Sequence, residues 1–334
     1  ILAKLPEDTE IDIRPGDNLG ESQLLFKHNS DKRWRFSSSL DNAGSKATGR
    51  VGASFTLNVD SPLHLYDQLT LTHNRNAQSS DESGNRGTSL SWNVPVGYWS
   101  ISAGANRYEY LQTIAGFSGP IRYTGNSRGA DLGLGWVARR DASSKTSLAA
   151  KLSQRQSRSF IEDVEVEVQA KDAAAYDISL AHRQHIDDAV ADASLGARGG
   201  LASQSPKPGV IVGVPEYDGR YSVFSANAVL TMPFKLGGVA LRYQGQVKLQ
   251  KATTVVPPSE FFAIGNRYSV RGFSGEVSLA AEHGGFIRNE LAWATQLGDA
   301  NVELYGALDA GALRGANTQF LAGAKLAGGG LGAR

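Results

Sequence analysis

The stretch that most limits what this chain can become runs from Val239 to Gln250. Val239, Leu241, Tyr243, Val247 and Leu249 alternate there with Arg242, Gln244, Gln246, Lys248 and Gln250. A two-residue period puts each set on its own face of a β-strand. One face is apolar; the other carries charges and amides in mid-strand. Such a face cannot line the core of a soluble sandwich, because burying an unpaired charge is prohibitive. It suits a strand with hydrocarbon on one side and water on the other.

The period recurs from Trp34 onward. Val51, Ala53, Phe55 and Leu57 alternate with polar neighbours, as do Leu90, Trp92 and Val94, then Trp99, Ile101, Ala103 and Ala105. Leu132, Leu134 and Trp136 follow, then Leu148, Ala150 and Leu152, and later Leu291 with Trp293 and Val302 with Leu304 and Leu308. Counting the weaker ends at 34–40 and 326–333, roughly fourteen segments show it. Ten residues at about 3.3 Å each, tilted by about 45°, rise roughly 23 Å, close to the apolar band of about 25 Å in membrane barrels.

Connections alternate between short ones at 95–97, 140–144, 184–187, 233–238 and 296–301 and long ones at 108–128, 157–172, 199–219 and 251–284. That is the asymmetry of periplasmic turns and extracellular loops. Trp92, Trp99, Trp136 and Trp293 all fall near short turns on the apolar register, which predicts an aromatic girdle at one rim. The fold class expected is all-β, a transmembrane antiparallel β-barrel.

Composition narrows the functions. The 34 basic and 33 acidic residues balance, leaving no electrostatic footprint for nucleic acid. Cysteine is absent, so thiolate metal sites and disulfides are excluded. No apolar run approaches the roughly 18 residues of a spanning helix. The six histidines form no readable cluster with Ser and Asp, and neither Gly116–Gly119 nor Gly272–Gly275 is a nucleophile elbow. Gly133-Leu134-Gly135-Trp136 mimics part of a dinucleotide fingerprint but lies inside a strand pattern and opens no helix. No catalytic residue, metal or cofactor is expected.

Residues 1–31 differ. Glu10–Arg14 alternates like a strand, Pro15-Gly16-Asp17 reads as a turn and Leu24-Leu25-Phe26 as a second strand. They look like the tail of a small α/β module. Another interruption, Gly265–Glu276, places Arg271 between Val270 and Gly272. Glycine permits positive φ and close backbone approach, and arginine offers a planar fork suited to one well-placed carboxylate. A solvated surface arginine would satisfy the same residues.

The chain resembles the TpsB-type translocators of two-partner secretion, which export haemagglutinin, haemolysin and contact-dependent inhibition exoproteins. The resemblance is carried by Ile11–Gly16 with Gly20-Glu21-Ser22, by Leu40-Asp41-Asn42-Ala43-Gly44 with Thr48-Gly49-Arg50, by Ile264–Phe273, and by Arg288-Asn289-Glu290-Leu291. The Val-Arg-Gly-Phe element is shared with outer-membrane assembly factors of the same superfamily. The residues around it and the first-hairpin motif point to the secretion branch.

The resemblance implies a sixteen-stranded barrel preceded by two periplasmic polypeptide-transport-associated (POTRA) domains and a plug helix. Residues 1–31 would be the end of the second such domain and 32–334 the barrel, with final strands to follow Arg334. The loop 251–284 would fold into the lumen. Its motif Val270-Arg271-Gly272-Phe273 would meet the wall at Ala307-Leu308-Asp309-Ala310-Gly311, where Ala307 departs from the family's aromatic or glycine. The alternation independently turns Asp309 inward, so an Arg271–Asp309 ion pair is expected. Arg288 and Glu290 are weaker members of the same network.

The function implied is ATP-independent export of an unfolded, largely β-helical exoprotein by a monomeric barrel in the outer membrane, its N-terminal part in the periplasm. Its other partners would be outer-membrane lipid and lipopolysaccharide. The alternatives are an insertase of the same superfamily, a passive porin, or a barrel-borne enzyme.

Overall fold

The fold is taken from a computed structural model of the chain, which describes residues 9–15, 21–28, 33–42, 44, 48–77, 83–116, 119–201, 219–273, 275, 278–297 and 300–334. Strands β1 (Thr9–Pro15) and β2 (Ser22–His28) form a separate antiparallel hairpin. The main sheet begins with β3 (Trp34–Asp41), β4 (Gly52–Asp60), β5 (Gln68–Asn76), β6 (Gly84–Val96), β7 (Trp99–Gly116), β8 (Gly119–Arg140) and β9 (Ser144–Ile161). A two-residue strand, β10 (Val164–Glu165), folds back on β9. The sheet continues with β11 (Lys171–Ile186), β12 (Ala189–Gly200), β13 (Ser222–Leu236) and β14 (Val239–Ala252).

A small hairpin of β15 (Phe262–Ile264) and β16 (Leu279–Ala281) leaves the sheet before β17 (His283–Leu297), β18 (Ala300–Arg314) and β19 (Lys325–Ala333) complete it. Apart from β10 and this excursion, every strand pairs antiparallel with its neighbours in sequence, from β3 to β19. An up-and-down sheet of this length, apolar on one face, is what the alternation requires.

The faces are inverted relative to a soluble protein. Leu132, Leu195 and Leu308 are 64%, 60% and 74% exposed, while Glu290 and Asp309 are buried. Leu241, Trp293 and Leu304 share one ladder row on the apolar face, and Arg242, Ala292 and Tyr305 share the adjacent row on the other. In water the outer face would be an aggregation surface; in lipid it is the solvent-matched side.

Strand ends at the long-loop rim reach further than the sequence pattern suggests. The segments 108–128 and 157–172, read as long loops, are mostly ladder. β7 and β8 stay paired out to Gly116 and Gly119, and β9 runs to Ile161. Beyond the hydrocarbon both faces meet water, so the two-residue period fades while the backbone hydrogen bonds persist. The segment 199–219 lies largely outside the described residues. At the opposite rim the turns are tight, and Gly237 and Gly238 between β13 and β14 both adopt positive φ, 57° and 82°, as a two-residue hairpin demands.

The tryptophans gather at that tight-turn rim. Trp99 and Trp136 are register partners whose rings stack at 5.6 Å. The Trp92 indole donates to Asp67 Oδ2 at 2.8 Å, and Trp293 is exposed near the end of β17. Trp34, which the sequence pattern marks only as a strand end, is 64% exposed and joins the same rim through its pairing with Val59.

Candidate functional site

Between β14 and β17 the chain turns onto the polar face of the sheet. Pro257 and Pro258 start a single 3₁₀ turn, Pro258–Glu260, and β15 and β16 then form the stem of the excursion. The tip is tied by its own polar groups. Ser269 Oγ accepts from the backbone N–H of Gly265 and Asn266, and Asn266 Oδ1 accepts from the Tyr268 N–H and the Ser269 hydroxyl. Ser274 and Glu276 at the end of the motif lie outside the described residues.

An apolar plug seats this tip on the wall. Ile264 and Val270 are fully buried and pack with Phe262, Ala281, Phe286 and Leu313. Gly311 makes room: a Cβ there would lie 3.0 Å from Val270 Cγ2 and 3.3 Å from Ile264 Cγ2. Ala307, where the family pattern has an aromatic or glycine, is buried and pairs with Glu290 on β17 and Gly330 on β19.

With the backbone fixed, Arg271 has a short reach to two carboxylates. Its Nε and Nη2 donate to Asp309 Oδ2 and Oδ1 at 2.7 and 2.9 Å, and its backbone N–H donates to Oδ2 at 2.9 Å. Nη1 donates to Glu290 Oε2 at 2.6 Å, and Nη2 also reaches the Asn289 carbonyl at 3.2 Å. The fork is therefore bidentate on one acid and shared with a second, the geometry that distinguishes arginine from lysine. The Asp309 side chain has no exposed area and that of Arg271 keeps 16%. Hydrogen bonds from Arg271 to Asp309 and Glu290 hold the guanidinium pKa above that of an ordinary arginine, against the pull of burial.

Arg288 comes close without completing a bond to the acid. Its Nε lies 4.0 Å from Asp309 Oδ2, buried and without a hydrogen-bond partner, while Nη1 donates to the Tyr268 carbonyl at 3.3 Å. It braces the loop tip and adds positive charge beside Asp309. Arg267 reaches the first hairpin, donating to Asn42 Oδ1 at 3.4 Å. Gly272 takes φ 95° and lies against the backbone of Gly328 and Gly329 in β19, and Phe273 covers Gly328.

The network extends past the residues that the sequence singled out. Arg334 donates to Glu290 Oε1 and, through Nε, to Glu303 Oε2, both at 2.7 Å. Arg242 grips Glu303 with three contacts of 2.6–3.0 Å. Alternating charges thus run Asp309, Arg271, Glu290, Arg334, Glu303, Arg242 across three strands, the loop and the residue that follows β19. The inward register of Arg242 and Glu303 was readable. Their partnership was not, because Ala292 and Ala294 of β17 intervene in the ladder. The run Gly328-Gly329-Gly330, unusual inside a strand, is the signal that could have located the loop's seat on β19. Among the described residues no group of three or more His, Cys, Asp or Glu could hold a metal.

This arrangement can be set beside known proteins. Residues 20–334 match the family model for the haemolysin secretion/activation protein ShlB/FhaC/HecB. The chain belongs to this family. It is 28% identical over 329 residues to the outer membrane transporter CdiB-2 of Burkholderia pseudomallei, an alignment covering 98% of this chain and 56% of that protein. It is 25% identical to the hemolysin transporter protein ShlB of Serratia marcescens, over 87% of this chain and 52% of that one. Among solved structures, CdiB from Acinetobacter baumannii superposes with a TM-score of 0.82 at 31% identity, covering 98% of this chain and 58% of that one. The chain thus spans about half the length of the curated relatives it matches. The family membership and the superposition give the sheet its architecture, a transmembrane β-barrel.

Proposed function

We propose that the protein containing this chain exports an unfolded, large β-helical exoprotein across the outer membrane by two-partner secretion, without ATP. The observation that carries the reading is the docked loop. Arg271 of the Val270-Arg271-Gly272-Phe273 motif is bonded to Asp309 and Glu290, and the family's relatives are named transporters; together these support the reading. A passive pore has no need of a latch with an apolar seat and a six-residue run of alternating charges. In this reading residues 32–334 are the barrel, and β1–β2 belongs to the end of a periplasmic POTRA domain that captures the cargo. The polar wall lets an extended chain pass with its backbone solvated, and folding of the cargo outside supplies direction. Outer-membrane lipid and lipopolysaccharide surround a monomeric barrel that performs no catalysis.

The test is secretion of the neighbouring large exoprotein in a Gram-negative host carrying or lacking the full-length gene. Surface exoprotein should disappear on deletion and return on complementation, while the abundance of other outer-membrane barrels stays unchanged. Exoprotein secretion that persists without the gene would indicate a passive porin. General loss of outer-membrane barrels would indicate an insertase.

A further inference from the structure

The outward face of β5 to β8 changes character abruptly toward the long-loop rim. Leu71, Leu90, Ala105 and Ala130 form one outward ladder row. The next row is His73, Thr88, Arg107 and Arg128, and the one beyond it Arg75, Arg86, Glu109 and Asn126. Two arginine pairs therefore stand directly opposite each other, Arg75 across from Arg86 and Arg107 across from Arg128. Like charges in directly opposed positions destabilise a sheet, and here they recur on one patch facing away from the lumen.

Among the described residues Glu109 is the acid that meets Arg86 and Arg107. Glu109 accepts from Arg86 Nε at 2.6 Å and meets Arg107 Nη2 at 2.5 Å, using one oxygen for each. Arg128 is exposed and makes no ion pair among the described residues. Arg86, Arg107 and Arg128 exceed Glu109 by two charges. Between them lies a hollow of about 270 Å³ lined by His73, Arg86, Gly87, Thr88, Arg107 and Glu109. His73 is hydrogen-bonded to Thr88 at 2.9 Å. Directly below, Leu71, Leu90 and Leu132 expose 40%, 43% and 64% of their area on the same face.

We propose that this patch binds the phosphorylated headgroup of a multiply acylated lipid of the outer leaflet, with its acyl chains lying along the leucines beneath. The occupant must be anionic to relieve the opposed arginines. It must present oxygens that match guanidinium forks, which phosphate does. It must also be apolar one row lower, which free phosphate is not. The patch lies one residue pair beyond the apolar band, at the depth where lipid phosphates lie. The proposal rests on the outer-membrane placement given above and adds a lipid site to it.

The test uses the purified full-length protein in detergent and counts bound lipid by native mass spectrometry. The probes are bis-phosphorylated lipid A, its dephosphorylated form and inorganic phosphate. Lipid A should bind, the dephosphorylated form should bind weakly, and inorganic phosphate should not displace lipid A at equal concentration. Arg107→Gln with Arg128→Gln should weaken lipid A binding about 30-fold, from roughly a fivefold contribution per cation near a membrane surface. Arg107→Lys with Arg128→Lys should restore part of it. Arg139→Gln with Arg140→Gln, at the opposite rim, should leave it unchanged. Strand content by circular dichroism checks that each variant folds.

Equal affinity of the wild type and the Arg107→Gln/Arg128→Gln variant for lipid A would overturn the site. So would displacement by inorganic phosphate at equal concentration, which would make it a free-anion site. Loss of secretion is read separately. A lipid-binding chain that exports nothing would refute the translocator reading and leave this site standing.

Discussion

Asp309→Asn isolates the latch. In the native chain Asp309 accepts three hydrogen bonds from Arg271, two from the side-chain fork and one from the backbone, and its side chain has no exposed area. The amide keeps the shape and one acceptor oxygen but removes the charge and turns a donor toward the guanidinium. Removing one partner of a buried pair costs about 3–5 kcal/mol when the other is stranded. Arg271 keeps Glu290 and the Asn289 carbonyl and is partly exposed, so the low end applies, about 3 kcal/mol. That corresponds to about two decades in the docked-to-undocked ratio of the loop.

Because the chain has no cysteine, spin labels can be placed at Tyr268→Cys, exposed at the loop tip, and Asp187→Cys, in a tight turn. The wild-type distance distribution should be narrow, and Asp309→Asn should broaden it and add a longer population. Arg271→Lys should do the same to a smaller extent, since a point charge cannot engage both carboxylates at once. Distributions that stay as narrow as wild type in both variants would refute the idea that this ion pair holds the loop.

Gly328→Val should undock the loop, because its Cβ would collide with the Arg271 carbonyl, whereas Gly330→Ala, with open space around it, should leave the same distance distribution unchanged. At the opposite rim, Asp67 is buried and accepts from Leu63 N–H, Leu65 N–H and Trp92 Nε1. Burial pushes its pKa up, but these donors outweigh it and hold the value below the ordinary 3.8. A lowered native pKa means the carboxylate stabilises the fold above pH 3.8 and ceases to as pH falls through the native value. Asp67→Asn should therefore be less stable by about 1 kcal/mol at neutral pH, with the gap from wild type closing on acidification, as urea unfolding in detergent at pH 7 and pH 3 would measure.

How much of this was legible in the sequence depends on where each residue lies. Inside the hydrocarbon the environment dictates every second side chain, so Leu241 and Arg242 declared their faces without a structure. Outside it nothing selects apolar residues, and the ladder from Tyr108 to Gly116 read as loop although it is strand. Asp309 could be turned inward from alternation alone, and the resemblance supplied its partner. The seat on Gly328 and Gly329 and the relay through Glu303 to Arg334 could not be found that way. They depend on which strand end lies under a loop that begins some seventy residues earlier, and local periodicity carries no information about that.

The division of labour within the latch has a physical consequence. Ile264 and Val270 bury completely, and that apolar seat holds in a wet lumen as it would in any protein core. The ion pairs behave differently. Docked, they are desolvated and their Coulombic gain is largely offset by the water they lose; undocked in an aqueous channel, Arg271, Asp309 and Glu290 would each recover hydration. The charges therefore contribute little to net affinity while penalising any misregistered seating, in which one of them would be buried alone. A loop held this way keeps one resting position but leaves it without a large barrier. Replacing Arg271 and Asp309 together by leucines should on this argument tighten the resting state, narrowing the spin-label distribution and slowing export. Faster export from such a variant would show that the charges, rather than the apolar seat, limit release.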